Sequence, residues 1–276
     1  MAAFLILFAI GIFPFIFSLF ASFHEYDLRT ASGFKFVGFA NYVEALTDPT
    51  FQSSILTTLE FVGGAVSVEF FLGLILALLL NQDLKGIGIV RSVVMIPMAI
   101  APIGVALMFK IELQQEIGII SYILKTYFNY LFLPLTDPYQ ALGLLIAVDA
   151  WQWIPFVALV LLAGLRSLST EIVEAAKIDC ASSLQIFRYI TLPNLKYQIT
   201  VILLIRTMDA FKVFDIVYIL TGGGPDISTQ VASYWIYKVG MRFLEIGKAS
   251  ALSYVLLLII IVISNLYIKY ALKRGA

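Results

Sequence analysis

The sequence of 276 residues has little cysteine, histidine or charge. Its single cysteine, Cys180, excludes an internal disulfide and any cysteine-cluster metal site. His24 is the only histidine, so the commonest general base and the commonest transition-metal ligand are almost absent, and we interpret it as an exposed interfacial residue. Charged residues make up 13%, the formal net charge is zero, and no dense basic run exists, so nucleic acid is not an expected partner.

What the sequence has in abundance is apolar residues. They reach 61%, against roughly 45–50% in ordinary soluble domains, which indicates an all-α integral membrane protein. The apolar runs are long enough to cross a hydrocarbon layer of ~30 Å, and no internal repeat or linker divides the chain. We therefore predict one transmembrane domain, 1–276, with six helices. The predicted spans are 2–23, 53–81, 92–110, 141–165, 197–220 and 249–270.

The fifth predicted span carries four charges of alternating sign at three-residue steps: Arg206, Asp209, Lys212 and Asp215. This spacing brings neighbouring charges within reach of one another along a helix. We expect Arg206 to pair with Asp209, and Lys212 to pair with Asp209 or Asp215. Glu69, deep in the second span, needs a partner or water, and pairing with this set across helices is one possibility.

A polar stretch, 169–193, interrupts the second half of the chain. It predicts two short helices joined by a tight turn, within a loop that covers 166–196. Placing this loop, the 82–91 turn and the C-terminus in the cytoplasm puts nine Lys and Arg residues there, against seven in the opposite loops. The bias predicts a multi-pass protein of the cell membrane with both termini in the cytoplasm.

Several motifs, in order along the chain, resemble those of the permease subunits of bacterial and archaeal ABC importers, in the carbohydrate-uptake class. The loop is similar to the EAA loop of that family. The motifs are Glu174-Ala175-Ala176 and Ile190-Thr191-Leu192-Pro193 in the loop, with FVGFANY at 36–42, ALLLNQ at 77–82, DAWQWIPF at 149–156, FKVFD at 211–215 and TGGGP at 221–225. The resemblance implies the type I importer permease fold, with six transmembrane helices and a cytoplasmic EAA coupling loop.

The resemblance also implies that the coupling loop seats in a separate cytoplasmic ATPase, where ATP and Mg²⁺ belong. This chain then needs no cofactor, holds no metal and is not an enzyme. Cys180 stands where the family has glycine, so either the turn is remodelled or a strain of about 1–2 kcal/mol is tolerated. For Glu174 the alternative is an ordinary solvated helix face. The implied coupling residues are Glu174, Ala175, Ala176, Asp179, Cys180 and Pro193.

A sugar path needs aromatic faces against the ring CH groups and a few polar groups for the hydroxyls. The fourth and fifth spans supply both, although helix packing and interface anchoring are alternative roles for the aromatic residues. The predicted path residues are Trp151, Gln152, Trp153, Phe156, Phe211, Lys212 and Asp215. The outward TGGGP loop predicts contact with a binding protein through Gly222, Gly223, Gly224 and Pro225, or else a plain exposed turn.

The expected partners are a second permease subunit in a heterodimer, a cytoplasmic ABC ATPase dimer, an extracytoplasmic sugar-binding protein, a sugar and membrane lipid. Disaccharides, oligosaccharides, polyols and sugar phosphates all fit the residue inventory. One alternative is an ion-coupled secondary transporter of a small polar solute, for which matching repeats are expected and not found. Another is a membrane-embedded enzyme, which the sequence disfavours because no nucleophile motif or His/Glu metal constellation occurs.

Overall fold

The computed structural model describes residues 8–30, 33–130, 132–133 and 136–273, and most of these residues are helical. The main helices are α1 (Phe8–Ser22), α2 (Ala40–Thr47), α3 (Pro49–Leu80), α4 (Ile87–Ala99), α5 (Pro102–Glu112), α6 (Ile119–Phe128), α7 (Pro138–Arg166), α8 (Thr170–Ile178), α9 (Ser183–Ile186, Phe187–Thr191 and Leu192–Asn194), α10 (Lys196–Ala210), α11 (Val217–Thr221), α12 (Ala232–Tyr237 and Lys238–Arg242) and α13 (Ile246–Lys273). A two-residue hairpin pairs β1 (His24–Glu25) with β2 (Lys35–Phe36).

Three of the described helices, α3, α7 and α13, are each long and apolar enough to cross a membrane. They match the second, fourth and sixth predicted spans. Asp48 and Asp137 cap α3 and α7, because their carboxylates accept hydrogen bonds from the backbone N–H groups of Thr50 and Gln140. The first span is represented by α1, and the earliest residues of the predicted 2–23 helix lie outside the described part of the chain.

The third predicted span, 92–110, is broken rather than straight. The axes of α4 and α5 meet at 95°, and the break falls between Ile100 and Ala101, with Pro102 opening the second helix. Proline supplies no N–H and restricts the residue before it to extended conformations, so the break follows from the sequence. A single helix over 92–110 is therefore replaced by two helices set almost at right angles.

The fifth predicted span also proves shorter than expected, because α10 ends at Ala210. The backbone N–H of Lys212 bonds to the Asp209 carbonyl and that of Val213 to the Ala210 carbonyl, which tightens the last turn and stops the helix. Phe211 turns into the apolar core, where 1% of it is exposed. The prediction of one continuous helix over 197–220 was wrong, since burial of this ring competes with helix continuation.

Helices α3 and α7 form the most extensive contact in the fold, and small residues allow it. A Cβ added to Gly64 would lie 2.5 Å from Ile146, and one added to Gly73 would lie 2.5 Å from Val157. From the first pair to the second, the residue number increases on both helices, so α3 and α7 run in the same direction. Their last residues meet at one end of the bundle, beside the 166–196 loop.

The opposite end of the bundle is held by polar contacts between the 24–47 segment and the turn that leads into α13. The Leu28 backbone N–H donates to the Leu244 carbonyl at 3.0 Å. Arg29 pairs with Asp27 at 2.6 Å and with Glu245 at 2.8 Å, and its hydrogen bonds hold the pKa of Asp27 below its usual value. His24 is half-buried there, with Nδ1 2.7 Å from the Phe20 carbonyl, rather than free in water.

Candidate translocation and coupling sites

Arg206 joins three helices in the interior of the bundle. Its Nε donates to Glu69 Oε2 at 2.6 Å, and its Nη2 donates to Glu69 Oε1 and to Asp149 Oδ2, both at 2.9 Å. Its Cζ lies 4.6 Å from the centroid of the Trp153 ring. The possibility that Glu69 reaches this set from another helix is confirmed, whereas the expected pairing of Arg206 with Asp209 was wrong. We call Arg206, Glu69 and Asp149 the charge triad.

The triad is buried, since 1% of Arg206, none of Glu69 and 6% of Asp149 are exposed. A charge in such a place is stable only when it is paired and hydrogen-bonded. The triad therefore fixes α3, α7 and α10 relative to one another. A second pair nearby, Lys212 Nζ to Asp209 Oδ1 at 2.9 Å, confirms one of the two expected partners of Lys212.

A cavity of about 310 Å³ opens beside the charge triad, where α5, α7 and α10 converge with the turn after α10. Its walls combine one indole face, an amide, three carboxylates and two cationic groups. The lining residues are Pro102, Asp149, Gln152, Trp153, Arg206, Asp209, Lys212, Val213, Phe214, Asp215 and Ile216. Such a mixture of aromatic and convergent polar groups is typical of a site for a small polar ligand. We call it the central cavity.

Four of the seven predicted path residues line the central cavity: Gln152, Trp153, Lys212 and Asp215. The other three lie elsewhere, because Trp151 packs edge-on against Phe109, Phe156 contacts the apolar cluster around α7, and Phe211 is in the core. Sequence reasoning missed Asp149, Arg206, Asp209 and Phe214 as wall residues. The signal for the first three was present, since charges inside a span usually mark a functional interior.

Gln152 has a structural task besides facing the cavity. Its side-chain amide donates to the Ile100 carbonyl at 2.8 Å, and only 1% of the residue is exposed. The break between α4 and α5 leaves that carbonyl without a helical partner, so Gln152 satisfies it from α7. The amide thereby ties the broken third span to the wall of the central cavity.

The coupling loop consists of the predicted pair of helices, α8 and α9, with a turn between them. Cys180 has φ 59°, and the N–H of Ala181 bonds to the Ala176 carbonyl at 3.0 Å, a left-handed helix ending that glycine usually provides. The turn is thus retained with cysteine in it. Ser182 and Gln185 then form a capping box that starts α9.

Five of the six predicted coupling residues are exposed to solvent. Glu174, Ala175, Asp179, Cys180 and Pro193 are exposed, and Ala176 is half-buried. Two apolar side chains beside them, Ile178 and Leu184, are 82% and 73% exposed. We call α8, α9 and the turn between them the elbow. A patch of charged and apolar side chains exposed on such a unit is typical of a surface that a protein partner covers.

The TGGGP loop is a compact turn. Gly222 and Gly223 have φ values of 59° and 85°, and a Cβ on Gly223 would lie 2.8 Å from the Tyr234 ring. Gly222 is exposed and Gly223 is buried, while Gly224 and Pro225 are half-buried. The two left-handed glycines are therefore required by the turn itself, and contact between this loop and a binding protein stays a prediction.

Comparison with known proteins places the chain in a family. The family described as "binding-protein-dependent transport system inner membrane component" matches residues 69–275. A probable ABC transporter permease protein, y4oQ, of Sinorhizobium fredii is 36% identical over 100% of this chain and 88% of its own length. The trehalose/maltose transport system permease protein MalF of Thermococcus litoralis is 37% identical over 85% of this chain and 79% of its own length.

The fold has a counterpart in the crystal structure of a bacterial ABC transporter involved in the import of the acidic polysaccharide alginate. One chain of that transporter superposes with a TM-score of 0.84 at 23% identity, over 98% of this chain and 93% of its own length. This likeness shows the fold and confirms the predicted permease architecture. The chain belongs to the binding-protein-dependent transport system inner membrane component family, the permease subunits of ABC importers, in which a separate subunit hydrolyses ATP.

Proposed function

We propose that this chain forms half of the translocation path of an ATP-driven importer for a di- or oligosaccharide or a related polyol. The observation that carries the proposal is the central cavity, where Trp153 offers an aromatic face and Gln152, Asp209 and Asp215 offer hydrogen-bonding groups. Aromatic faces pack against sugar CH groups, and the polar groups meet the hydroxyls. The trehalose/maltose permease among its relatives supports the same substrate class.

Coupling to ATP hydrolysis runs through the 166–196 loop. Glu174 lies exposed on α8, next to the apolar side chains of the elbow, where an ATPase groove would receive it. The loop is the direct connection between α7 and α10, whose side chains line the central cavity. A displacement of the elbow by nucleotide-driven closure of the ATPase would therefore move two walls of the cavity. ATP can drive this change only if the elbow binds the ATPase differently in the two states.

The full importer then contains this chain, a second and different permease, an ATPase dimer with its ATP and Mg²⁺, and a sugar-binding protein outside. The chain itself carries no cofactor in this proposal. The binding protein approaches the end with the TGGGP loop, through Gly222, Gly223, Gly224 and Pro225. Both termini and the coupling loop face the cytoplasm, in line with the small excess of basic residues on that side.

The test is transport by the complete complex reconstituted in liposomes with its binding protein. Uptake of neutral di- and oligosaccharides should require ATP and the binding protein, and dissipation of ion gradients should leave it unchanged. Glu174→Lys should lower stimulated ATP hydrolysis and uptake together, because it reverses a charge on the docking surface. Glu116→Lys, a reversal at another exposed site, is the matched control.

Two results would count against the proposal. Uptake that collapses with an ion gradient and ignores ATP would identify an ion-coupled secondary transporter. Normal coupling in Glu174→Lys, with the complex intact, would remove the docking role of the elbow while leaving the transport path in place.

A further inference from the structure

The wall of the central cavity includes the guanidinium of Arg206, a group that commonly binds anionic ligands. This guanidinium is already hydrogen-bonded to two carboxylates of the protein. Arg206 gives its Nε and Nη2 hydrogen atoms to Glu69 and Asp149, and 2% of its side chain is exposed. Bidentate recognition of a phosphate or carboxylate needs a free guanidinium edge. The charge of the guanidinium is therefore matched by the protein's own carboxylates, and its Nε–Nη2 edge is not available to a ligand.

The remaining charges of the cavity do not balance. Lys212, the other cation on the wall, is paired with Asp209 at 2.9 Å. Asp215 also lines the cavity, and it forms no ion pair with any residue that the structure describes. After the pairing of Arg206 and of Lys212, Asp215 is left on the wall as a carboxylate with no cation paired to it among the described residues. The wall thus carries a net negative charge.

We infer that the central cavity is a negatively charged compartment that admits neutral sugars and polyols and excludes anionic derivatives such as sugar phosphates and uronates, with Asp215 as a specificity-determining residue. The inference rests on the proposed function and narrows its substrate class. Carboxylates accept hydrogen bonds from neutral hydroxyl groups, whereas they repel a phosphate or a carboxylate. At effective dielectric constants near 20, one charge at cavity distances disfavours an anion by roughly tenfold or more.

Labelling of a cysteine with reagents of opposite charge measures the sign of the charge in the central cavity. Phe214, which lines the cavity and is half-buried, is replaced by cysteine in the complete complex. The thiol is treated with a cationic trimethylammonium-ethyl or an anionic sulfonatoethyl methanethiosulfonate, and peptide mass separates its labelling from that of Cys180. Both reagents attack the same thiolate, so the ratio of their rates reports the local charge. Tyr139→Cys, at a site that is 89% exposed outside the cavity, supplies the reference ratio.

The cationic reagent should be favoured about tenfold at Phe214→Cys relative to Tyr139→Cys. Adding Asp215→Asn should reduce this preference severalfold, and Glu60→Gln, which removes an exposed carboxylate outside the cavity, should leave it unchanged. If Phe214→Cys fails to assemble, Val213→Cys, a smaller change on the same wall, replaces it. A preference for the anionic reagent, or none, would overturn the inference.

A second arm tests ligands by their protection of the same thiol. Maltose, maltotriose and trehalose are compared with acidic counterparts, including trehalose 6-phosphate and a disaccharide uronate. Neutral sugars should slow labelling at concentrations at least tenfold lower than their acidic counterparts. Equal or better protection by the acidic set would overturn this inference and leave the sugar path intact. Protection by neither set, on a cavity shown to be negative, would overturn the proposed sugar path and the inference together.

Discussion

The guanidinium of Arg206 donates two hydrogen bonds, of 2.6 and 2.9 Å, to the carboxylate of Glu69, which lies 137 residues earlier in the chain. Asp149 on a third helix accepts a further bond from the same group. Two carboxylates around one guanidinium hold α3, α7 and α10 at a fixed spacing behind the central cavity. The coupling loop joins two of these three helices, α7 and α10.

Removal of the cation should be among the most damaging single changes in the chain. Arg206→Met leaves two carboxylates buried and unpaired, which we expect to destabilise the folded protein by about 3–5 kcal/mol. Thermal unfolding of the purified complex measures the loss. Lys212→Met breaks a much more exposed ion pair of the same wall and should cost at most about 1 kcal/mol. Similar losses in the two variants would contradict the clamping role of the triad.

Gln152 should stabilise the folded protein through its hydrogen bond to the Ile100 carbonyl. Gln152→Leu introduces an apolar side chain of similar size. It leaves the buried Ile100 carbonyl without its donor, which costs about 1–3 kcal/mol. Gln52 makes the same kind of bond, to the Leu46 carbonyl at 2.8 Å, in an exposed place. Gln52→Leu should therefore cost less than about 1 kcal/mol in the same unfolding measurement. Equal costs would show that the Gln152 bond does not hold the break.

The turn of the coupling loop should gain stability from glycine. Cys180→Gly removes the Cβ from a residue at φ 59° and should stabilise the turn by up to about 1 kcal/mol, because the left-handed strain exceeds the extra chain entropy of glycine. Hydrogen exchange of residues 170–194 in the isolated subunit measures the change. Cys180→Ala keeps the Cβ and serves as the control, so slower exchange in both variants would argue against strain at this turn.

The TGGGP turn should tolerate no side chain at Gly223. Gly223→Ala combines a φ of 85° with a Cβ 2.8 Å from the Tyr234 ring, so we expect a loss of at least about 2 kcal/mol. Gly88 in α4 has no atom within 4 Å of an added Cβ. Gly88→Ala should therefore gain about 0.5–1 kcal/mol, since alanine is the better helix former. A Gly223→Ala variant with unchanged stability would show that the turn and the Tyr234 ring can adjust to a side chain at this position.

The two departures from the predicted spans differ in whether their cause is local in the sequence. Pro102 removes a donor and restricts its predecessor, so the break between α4 and α5 follows from the residue type. The end of α10 at Ala210 has no such marker, because it depends on the burial of Phe211 in a core built by other helices. The turn at Cys180 lies between these cases, since this helix ends on a left-handed residue of the kind that glycine usually provides, although the residue here is cysteine.

The ion pairs likewise divide into one that local spacing predicts and others that depend on the tertiary structure. Lys212 and Asp209 are three residues apart, and their spacing alone predicts the contact. The partners of Arg206 are 57 and 137 residues away, and helix spacing favoured the wrong neighbour. The separation of Trp151 from Gln152 and Trp153 also needed the fold, because adjacent residues of a helix point in different directions.

The sequence by itself determined the membrane class, the long helices and the polar elbow with its family motifs, since apolar length, capping residues and turn signals are local properties of the chain. Only the tertiary structure decided which carboxylates surround Arg206, which aromatic residues reach the central cavity, and how α10 ends. These features depend on the free energy of burying charge and rings between helices distant in sequence. That energy is set by the packing of the whole bundle.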